Sequence, residues 1–345
     1  MNLQITLLLA QDGITNGAIY ALLALALVLV FAVTRVIFIP QGEYVALGAL
    51  TLASLQAGRT PGTVWLLLGA GALVTVVELA IAARTGKRRR LASVLGWNLA
   101  YPAAAALAVA TLDVRSLPLA AQVALALILV VPLGPMIYRL AFQPLAHASV
   151  LVLLIVAVAV PFALVGLALL FFGAEGSRTQ PFSDARFDLG AIAVNGQTLW
   201  VVGASLALIV MLYLFFERTI YGKALRATAI NRTGARLMGI STVMAGKLSF
   251  MLVALIGALS GILVAPLTTI YYDTGFLIGL KGFVAAIVGG LASYPLAAAG
   301  ALLVGLLESF SSFWASAFKE VIVFTLIIPV LLWRSLATRR VDEDE

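Results

Sequence analysis

The sequence predicts an all-α membrane protein, a polytopic bundle of transmembrane helices. Of its 345 residues, 63% are hydrophobic and 11% are charged, whereas ordinary soluble domains contain about 25% charged residues. A soluble chain of this length could not cover so much apolar surface. The charged residues also gather in short stretches between long apolar runs. Together these observations exclude a soluble enzyme domain and a disordered or collagen-like chain.

Eleven apolar runs reach, or nearly reach, the length of about 20 residues with which a helix crosses the hydrocarbon core. Two of them, 36–56 and 277–293, are short or interrupted by glycine, so we expect between eight and eleven spans with broken helices. Residues 3–10 are apolar but too short to span, and either extend the first helix or lie in the interface. The predicted spans are 14–34, 36–56, 62–83, 93–112, 118–138, 150–172, 199–216, 247–270, 277–293, 295–314 and 320–334.

The basic residues indicate which side of the membrane each loop faces. Residues 84–90 hold five basic residues and no acid, and residues 217–240 hold five more beside one acid, Glu217. Because Lys and Arg collect in cytoplasmic loops, we place both stretches inside. Eleven alternating spans then put the N-terminus outside and the tail 335–345 in the cytoplasm. This distribution explains the net charge of +7 without a nucleic-acid partner.

Groups suited to catalysis or metal binding are scarce. The sequence has no cysteine and one histidine, His147, which we expect in a solvated loop. No G-x-x-x-x-G-K-[ST] phosphate-binding loop occurs in it. We therefore predict no enzyme activity, no metal and no bound cofactor, and any ATP hydrolysis would belong to another polypeptide.

Ionisable residues are costly in lipid and are often functional there, and four fall inside predicted spans rather than at their first or last residue: Glu43, Glu78, Lys281 and Glu308. Glu43 follows a proline–glycine break, where its carboxylate could bond freed backbone amides. Glu78 could pair with Arg84 or Lys87. The other two lie near span ends and could simply reach the interface. So few acids weaken the case for an ion-coupled secondary transporter without excluding it.

Glycine and proline interrupt the apolar segment 279–305 at Gly289, Gly290, Ser293 and Pro295. Irregular backbone inside a membrane is tolerated only where it is buried in protein or lines a cavity. The break therefore predicts either part of a translocation path or a tight turn between two short helices. Two further pairs have the four-residue spacing that favours close helix packing, namely Gly13 with Gly17 and Gly257 with Gly261.

The longest polar stretch between the late spans, 217–246, predicts a short cytoplasmic helix. Asn231 or Thr233 could cap its N-terminus, and Gly239 could end it. Apolar residues are interspersed with basic ones along it. Such a helix suits docking into a groove on a soluble partner, but it equally suits an anionic lipid surface.

Four stretches match the pattern of a known family. Residues 12–49 combine a G-x-x-x-G-x-x-Y-A-L helix with a break before Gly42, and 138–149 read YRLAFQPLAHAS. Residues 221–241 fit G-x-A-x-R-A-x-A-x-N-x-x-x-A-x-L-x-G-I, and 279–309 are similar to L-K-A-F-x-A-A-x-L-G-G-x-G-S. Over 12–58 and 119–334 the chain thus resembles the LivH-type permeases, the membrane subunits of branched-chain amino acid ABC importers.

This resemblance implies a permease subunit in the bacterial inner membrane, with residues 221–241 as the loop that couples it to an ATPase. The matching coupling residues are Arg226, Ala229, Asn231, Ala235, Leu237, Gly239 and Ile240. The positions that would flank the translocation path are Gly42, Glu43, Lys281, Gly289, Gly290 and Ser293.

The partners implied are ABC ATPase subunits that hydrolyse ATP, a second related permease chain or a second copy, a periplasmic solute-binding protein and membrane lipid. The expected solute is a branched-chain or other neutral amino acid. Amides, urea and small aromatic acids remain open within the family, and a stand-alone ion-coupled transporter remains open outside it.

The chain also departs from the family's pattern. Residues 60–118 look like an insertion of about two spans within a single permease domain, 1–345. The sequence Phe-Ile-Pro-Gln at 38–41 replaces the family's Asn-Phe-Ala-His, and the choice of solute would differ if that histidine and asparagine shape the path. Gln143 stands where the family often has Arg, and Ala292 replaces a usual Gly.

Overall fold

The computed structural model describes residues 3–85, 94–146, 148–189, 192–291 and 293–339. Within these ranges the chain forms helices, connecting loops and one two-stranded hairpin. Eight helical segments of this part of the chain are long and apolar enough to cross a membrane. The prediction of an all-α polytopic bundle is confirmed. Several predictions concern positions outside the described residues: His147, Lys87, Ala292, most of the basic stretch 84–90 and the end of the tail.

Seven helices lie within the described residues of the first half of the bundle. They are α1 Leu3–Thr34, α2 Gln41–Gln56, α3 Gly62–Thr85, α4 Tyr101–Thr111, α5 Leu119–Val130, α6 Leu133–Ile137 and α7 Val150–Phe172. A π-helical turn, Gly96–Ala100, leads into α4, and another, Tyr138–Phe142, follows α6. The segment α5–α6 and its π-helical turn together form one of the candidate spans, Leu119–Phe142.

The second half begins with strands β1 Arg186–Leu189 and β2 Ile192–Asn195, which pair antiparallel. The helices that follow are α8 Gly196–Arg218, α9 Ile220–Ile230, α10 Arg232–Leu237, α11 Thr242–Val264, α12 Thr274–Val288, α13 Tyr294–Trp314, α14 Lys319–Thr325 and α15 Ile327–Arg339. The hairpin was not predicted from the sequence, because its strands are only four residues long.

Each of the eleven predicted spans coincides with a helical segment. Residues 3–10 extend α1, as one of the two expectations had it. The two runs judged short or broken are shorter as helices, with 16 residues in α2 and 15 in α12. Helices α3 and α4 lie where two added spans were expected, and whether 60–118 is an insertion stays a prediction. The orientation of the termini also stays a prediction.

One end of the bundle, called here the hairpin end, is held together by the segment around β1 and β2. Ser177 exchanges backbone hydrogen bonds of 2.9 Å with Ile270, and the backbone N–H of Gln180 donates to the side chain of Gln56. Gln197 donates to the carbonyl oxygen of Leu263 over 2.9 Å. These bonds place the C-terminal ends of α2 and α11 together with the start of α8.

The opposite end, called here the basic end, carries α9 and α10. Leu225 of α9 is buried against Leu29 and Val33 at the C-terminal end of α1 and against Ala245 near the start of α11. The short helices are therefore fixed to the transmembrane bundle rather than suspended from it.

Glycines allow the closest helix crossings. A methyl group on Gly13 would lie 2.8 Å from the Cα of Leu306, and one on Gly305 would lie 2.6 Å from the Cα of Gly17, so α1 and α13 meet backbone to backbone. A methyl group on Gly261 would lie 2.7 Å from the carbonyl carbon of Val45 in α2. The prediction that the glycine pairs serve helix packing is confirmed.

The glycine break at 289–293 is a tight turn that joins α12 to α13. Gly290 and Leu291 both adopt positive φ, 66° and 57°, and the Ser293 hydroxyl caps α13 by accepting from the N–H of Leu296. The ring of Tyr294 lies 6.4 Å from that of Phe216, at the C-terminal end of α8. The turn thus lies towards the basic end, which agrees with the second of the two alternatives.

We predict that Gly261→Val destabilises the protein by about 2 kcal/mol or more, because overpacking a closely packed core costs about 1–3 kcal/mol and the clash here is with backbone. The measurement is the apparent melting temperature of the detergent-solubilised protein. Gly203→Val is the matched control, since a methyl group on Gly203 of α8 meets no atom within 4 Å. Equal melting temperatures for the two variants would contradict the packing role.

Candidate functional site

A cavity of about 740 Å³ opens at the hairpin end, between α1, the loop after α11, α12 and the segment from the end of α13 into α14. Part of its lining is aliphatic or aromatic, namely Leu9, Ile19, Val264, Leu267, Leu277, Ile278 and Phe313. Five charged residues also line it: Asp12, Lys281, Glu308, Lys319 and Glu320. The cavity therefore offers both an apolar wall and both signs of charge.

Lys281 is the centre of a buried charge cluster at this cavity. Its Nζ lies 2.5 Å from Glu308 Oε1 and 3.0 Å from Glu320 Oε1. The Tyr20 hydroxyl donates to Glu308 Oε2 over 2.5 Å. Only 7% of the Lys281 side chain and 11% of the Glu308 side chain are exposed, against 35% for Glu320.

The expectation that Lys281 and Glu308 reach the membrane interface is therefore wrong. A lone charge in low-dielectric surroundings is very costly, so each of these side chains turns inward to a partner of opposite sign. The cluster joins α12, α13, α14 and, through Tyr20, α1. It still holds two carboxylates against one ammonium group, and Glu320 Oε2 is buried without a hydrogen-bond partner among the described residues.

Sequence reasoning missed Asp12, Tyr20, Lys319 and Glu320. Glu320 opens the last predicted span, and an acid at the edge of an apolar run was a signal that could have been used. Tyr20 is the tyrosine of the G-x-x-x-G-x-x-Y-A-L pattern in 12–49, but the pattern did not indicate a role for it. Its partner Glu308 lies 288 residues away in the chain.

Glu43 is 2% exposed, but the expected bonds from backbone amides are not formed to its Oε1, which has no partner among the described residues. Two neighbours, Gln41 and Tyr44, also bury polar side-chain atoms that have no hydrogen-bond partner in the part of the chain that the structure describes. Gly42 packs against α12, because a methyl group there would lie 2.7 Å from the Cα of Gly279. These residues lie inside the bundle and do not line the cavity described above.

Glu78 pairs with Arg139, whose Nε lies 2.6 Å from Glu78 Oε1. The structural role expected for Glu78 is confirmed, but its partner is on the π-helical turn after α6 rather than Arg84. Gly289, Gly290 and Ser293 form the turn towards the basic end, away from the cavity. Whether they act in translocation stays a prediction.

The predicted coupling residues lie on or beside α9 and α10, and the local helix signals are confirmed. The Asn231 side chain accepts from the N–H of Gly234 over 2.8 Å, and Gly239 has a φ of 83° after the helix ends. Leu237 is 83% exposed. Ala229 and Ile240 are partly buried.

The burial of Ala235 and an ion pair of Arg226 were not foreseen from the sequence. Ala235 is 5% exposed and faces the bundle, where it helps to attach α10, and its part in coupling stays a prediction. Arg226 forms an ion pair of 2.9 Å with Glu217. The exposed apolar surface, called here the α9–α10 surface, consists of Ile230, Leu237 and Met238, which are 80%, 83% and 83% exposed.

A protein family described as "branched-chain amino acid transport system / permease component" matches residues 93–331, well over half of the chain. The chain belongs to this family. The match includes α9, α10 and the cluster residues Lys281, Glu308 and Glu320, whereas Tyr20 precedes it. The chain is thus a permease-family protein that crosses the bacterial inner membrane several times, as the resemblance implied.

Relatives of this permease carry the same description. It is 26% identical over 335 residues to the high-affinity branched-chain amino acid transport system permease protein LivH of Escherichia coli K12, covering 93% of this chain and 91% of that one. It is 30% identical over 247 residues to the BraD permease protein of Pseudomonas aeruginosa, covering 70% and 80%. No solved structure matches the chain significantly.

We predict that Lys281→Met destabilises the permease by about 3–5 kcal/mol, because removing one partner leaves uncompensated buried carboxylates. The double variant Lys281→Met/Glu308→Gln removes the buried charge on both sides while keeping an acceptor for Tyr20, and should recover most of that loss. Apparent melting temperatures in detergent provide the measurement. A double variant no more stable than the single one would show that the pair does not govern stability.

Proposed function

We propose that this permease is the membrane-spanning subunit of an ABC importer that carries a small solute inward, driven by a separate ATPase. The chain itself would bind no cofactor, and the ATPase subunits would hydrolyse the ATP. The observation that carries the proposal is the α9–α10 surface, an exposed apolar patch with arginines around it and a rigid attachment to the bundle.

The α9–α10 surface has the properties of a docking site. Apolar side chains exposed at more than three quarters of their area on one short segment favour an interaction surface. Arg232 and Arg236 lie in the same helix and would favour an acidic rim on the partner. These features support docking of a soluble subunit, whereas contact with anionic lipid remains the alternative that the experiment below excludes or supports.

The α9–α10 surface is attached rigidly to the transmembrane bundle. Leu225 and Ala235 are 1% and 5% exposed, so a displacement of the α9–α10 surface would be transmitted to the helices they contact. Leu225 contacts the end of α1, and α1 also carries Tyr20. The nine residues from Leu29 to Tyr20 span about 14 Å of helix. A partner whose nucleotide states contact the surface differently could therefore bias the cavity between two conformations.

The solute we propose is a branched-chain or other neutral amino acid. The names of the relatives support this choice, and so does the mixture of charged and aliphatic groups in the cavity. A solute-binding protein would deliver it at the hairpin end. A second permease chain, related or identical, would cover part of the exposed apolar faces, with membrane lipid on the rest.

A stand-alone ion-coupled transporter is the second candidate. The observation that favours it is the buried cluster itself, since Lys281, Glu308 and Glu320 are ionisable groups of the kind that ion-coupled transporters place at membrane depth. Uptake by liposomes that contain only this chain, following a proton or sodium gradient, would support that candidate against the importer.

We predict that Leu237→Glu prevents an ATPase subunit from co-purifying with the permease, because a carboxylate would be desolvated in the docking groove. The measurement is affinity purification from native membranes in mild detergent, with the companions identified by mass spectrometry. Phe187→Glu is the matched control, since Phe187 is an exposed apolar residue at the hairpin end, and it should retain the ATPase.

Both variants must reach the membrane in equal amounts for the comparison to hold. Retention of the ATPase by Leu237→Glu would contradict docking at the α9–α10 surface. A wild-type chain that purifies without any ATPase, yet transports solute in liposomes, would overturn the importer and favour the second candidate.

A further inference from the structure

We infer that the cavity at the hairpin end binds the transported solute as a zwitterion, with its ammonium group at Glu320, its carboxylate at Lys319 and an aliphatic side chain against the apolar wall. The inference rests on the proposed function and adds to it a binding site with named residues. It assigns recognition of an α-amino acid to residues of the permease itself, not only to a delivering protein.

The charge of the cluster leaves room for a cation. Lys281 faces two carboxylates, Glu308 and Glu320, so the three groups carry one excess negative charge. Each oxygen of Glu308 has a partner, Lys281 or Tyr20, whereas Glu320 Oε2 is buried without a partner among the described residues. Buried acceptors are normally satisfied, and a ligand ammonium would satisfy this oxygen.

A positive group lines the same cavity. Lys319 precedes Glu320 in the chain, is also a lining residue, and forms no ion pair with any described residue. A cavity lined by charges of one sign only would suit a simple cation or a simple anion. A cavity that presents both a carboxylate and an ammonium group suits a ligand that carries an ammonium and a carboxylate a few bonds apart.

The rest of the cavity selects the side chain of that ligand. Ile19, Val264, Leu277 and Ile278 form an aliphatic wall, and burying an aliphatic side chain there gains about 25 cal/mol per Å² of apolar surface. The volume of about 740 Å³ lies within the range of about 300–1,000 Å³ that small-molecule sites occupy. A neutral, aliphatic α-amino acid is the class of ligand that would use the carboxylate of Glu320, the ammonium group of Lys319 and the aliphatic wall together.

The test measures direct binding to the full chain in lipid nanodiscs, with any subunits that co-purify, by ligand-detected NMR. Three probes separate the contributions of the ligand's ammonium and carboxylate groups to binding. L-leucine carries both groups, L-leucinol lacks the carboxylate, and 4-methylpentanoate lacks the ammonium group. We expect L-leucine to bind at least about tenfold more tightly than either analogue, because each loses a hydrogen bond between charged groups.

Two variants test which residue binds the ammonium group of the ligand and which binds its carboxylate. Glu320→Gln should weaken binding of L-leucine and L-leucinol by about tenfold and leave 4-methylpentanoate unchanged. Lys319→Gln should weaken L-leucine and 4-methylpentanoate and leave L-leucinol unchanged. Glu175→Gln is the matched control, because Glu175 is an exposed acid near the hairpin end that does not line the cavity. Size-exclusion profiles establish that each variant is folded.

Three outcomes would overturn the inference: analogues that bind as tightly as L-leucine, a Glu320→Gln variant that behaves like Glu175→Gln, or displacement of L-leucine by ammonium chloride at equal concentration, which would indicate a simple cation site. None of these results affects co-purification of the ATPase. A permease that retains its ATPase but shows any of them keeps the proposed function and loses the zwitterion site.

Discussion

Lys281 is 5% exposed inside the bundle, and four helices meet around the groups that compensate its charge. Replacing a buried ion pair by apolar residues of similar volume is often neutral or stabilising, so stability alone does not account for this cluster. The cluster positions the helices that surround the cavity relative to one another. It fixes the register of α12 and α13, brings the start of α14 inward through Glu320, and ties α1 to them through Tyr20. The shape of the cavity follows from that register.

Close backbone contact is the condition under which these side chains can reach each other. Gly13, Gly17 and Gly305 bring α1 and α13 together along one face, and Tyr20 and Glu308 lie one turn beyond that contact on their helices. With a larger residue at the crossing, the hydroxyl and the carboxylate would separate. In a membrane, where lipid tails are as apolar as the side chains, such packing supplies much of the association energy between helices. The glycines thus determine the electrostatics of the cavity indirectly.

The features that the sequence predicted are those that depend on neighbouring residues. The length of an apolar run predicts a span, and the Asn231 cap and the Gly239 end of α10 depend on three or four consecutive residues. Pairing across the fold could not be predicted in this way. Glu78 meets Arg139 across 61 residues and Lys281 meets Glu308 across 27, and nothing local distinguishes a lysine that reaches the interface from one that turns inward. Ala235 shows the same limit, since composition predicted the helix but not which of its faces touches the bundle.

Helix α1 connects the hairpin end of the molecule to the basic end. Its C-terminal end contacts α9 through Leu29 and Val33, and its middle contributes Tyr20 to the cluster. A cavity with ionisable groups would serve an ion-coupled transporter equally well, but such a transporter has no use for an exposed apolar surface fixed to the far end of the same helix. An importer driven by a soluble ATPase requires both, because the energy enters at one end and the solute is handled at the other. The importer therefore accounts for the α9–α10 surface and the cavity with a single mechanical element, whereas ion coupling accounts only for the cavity.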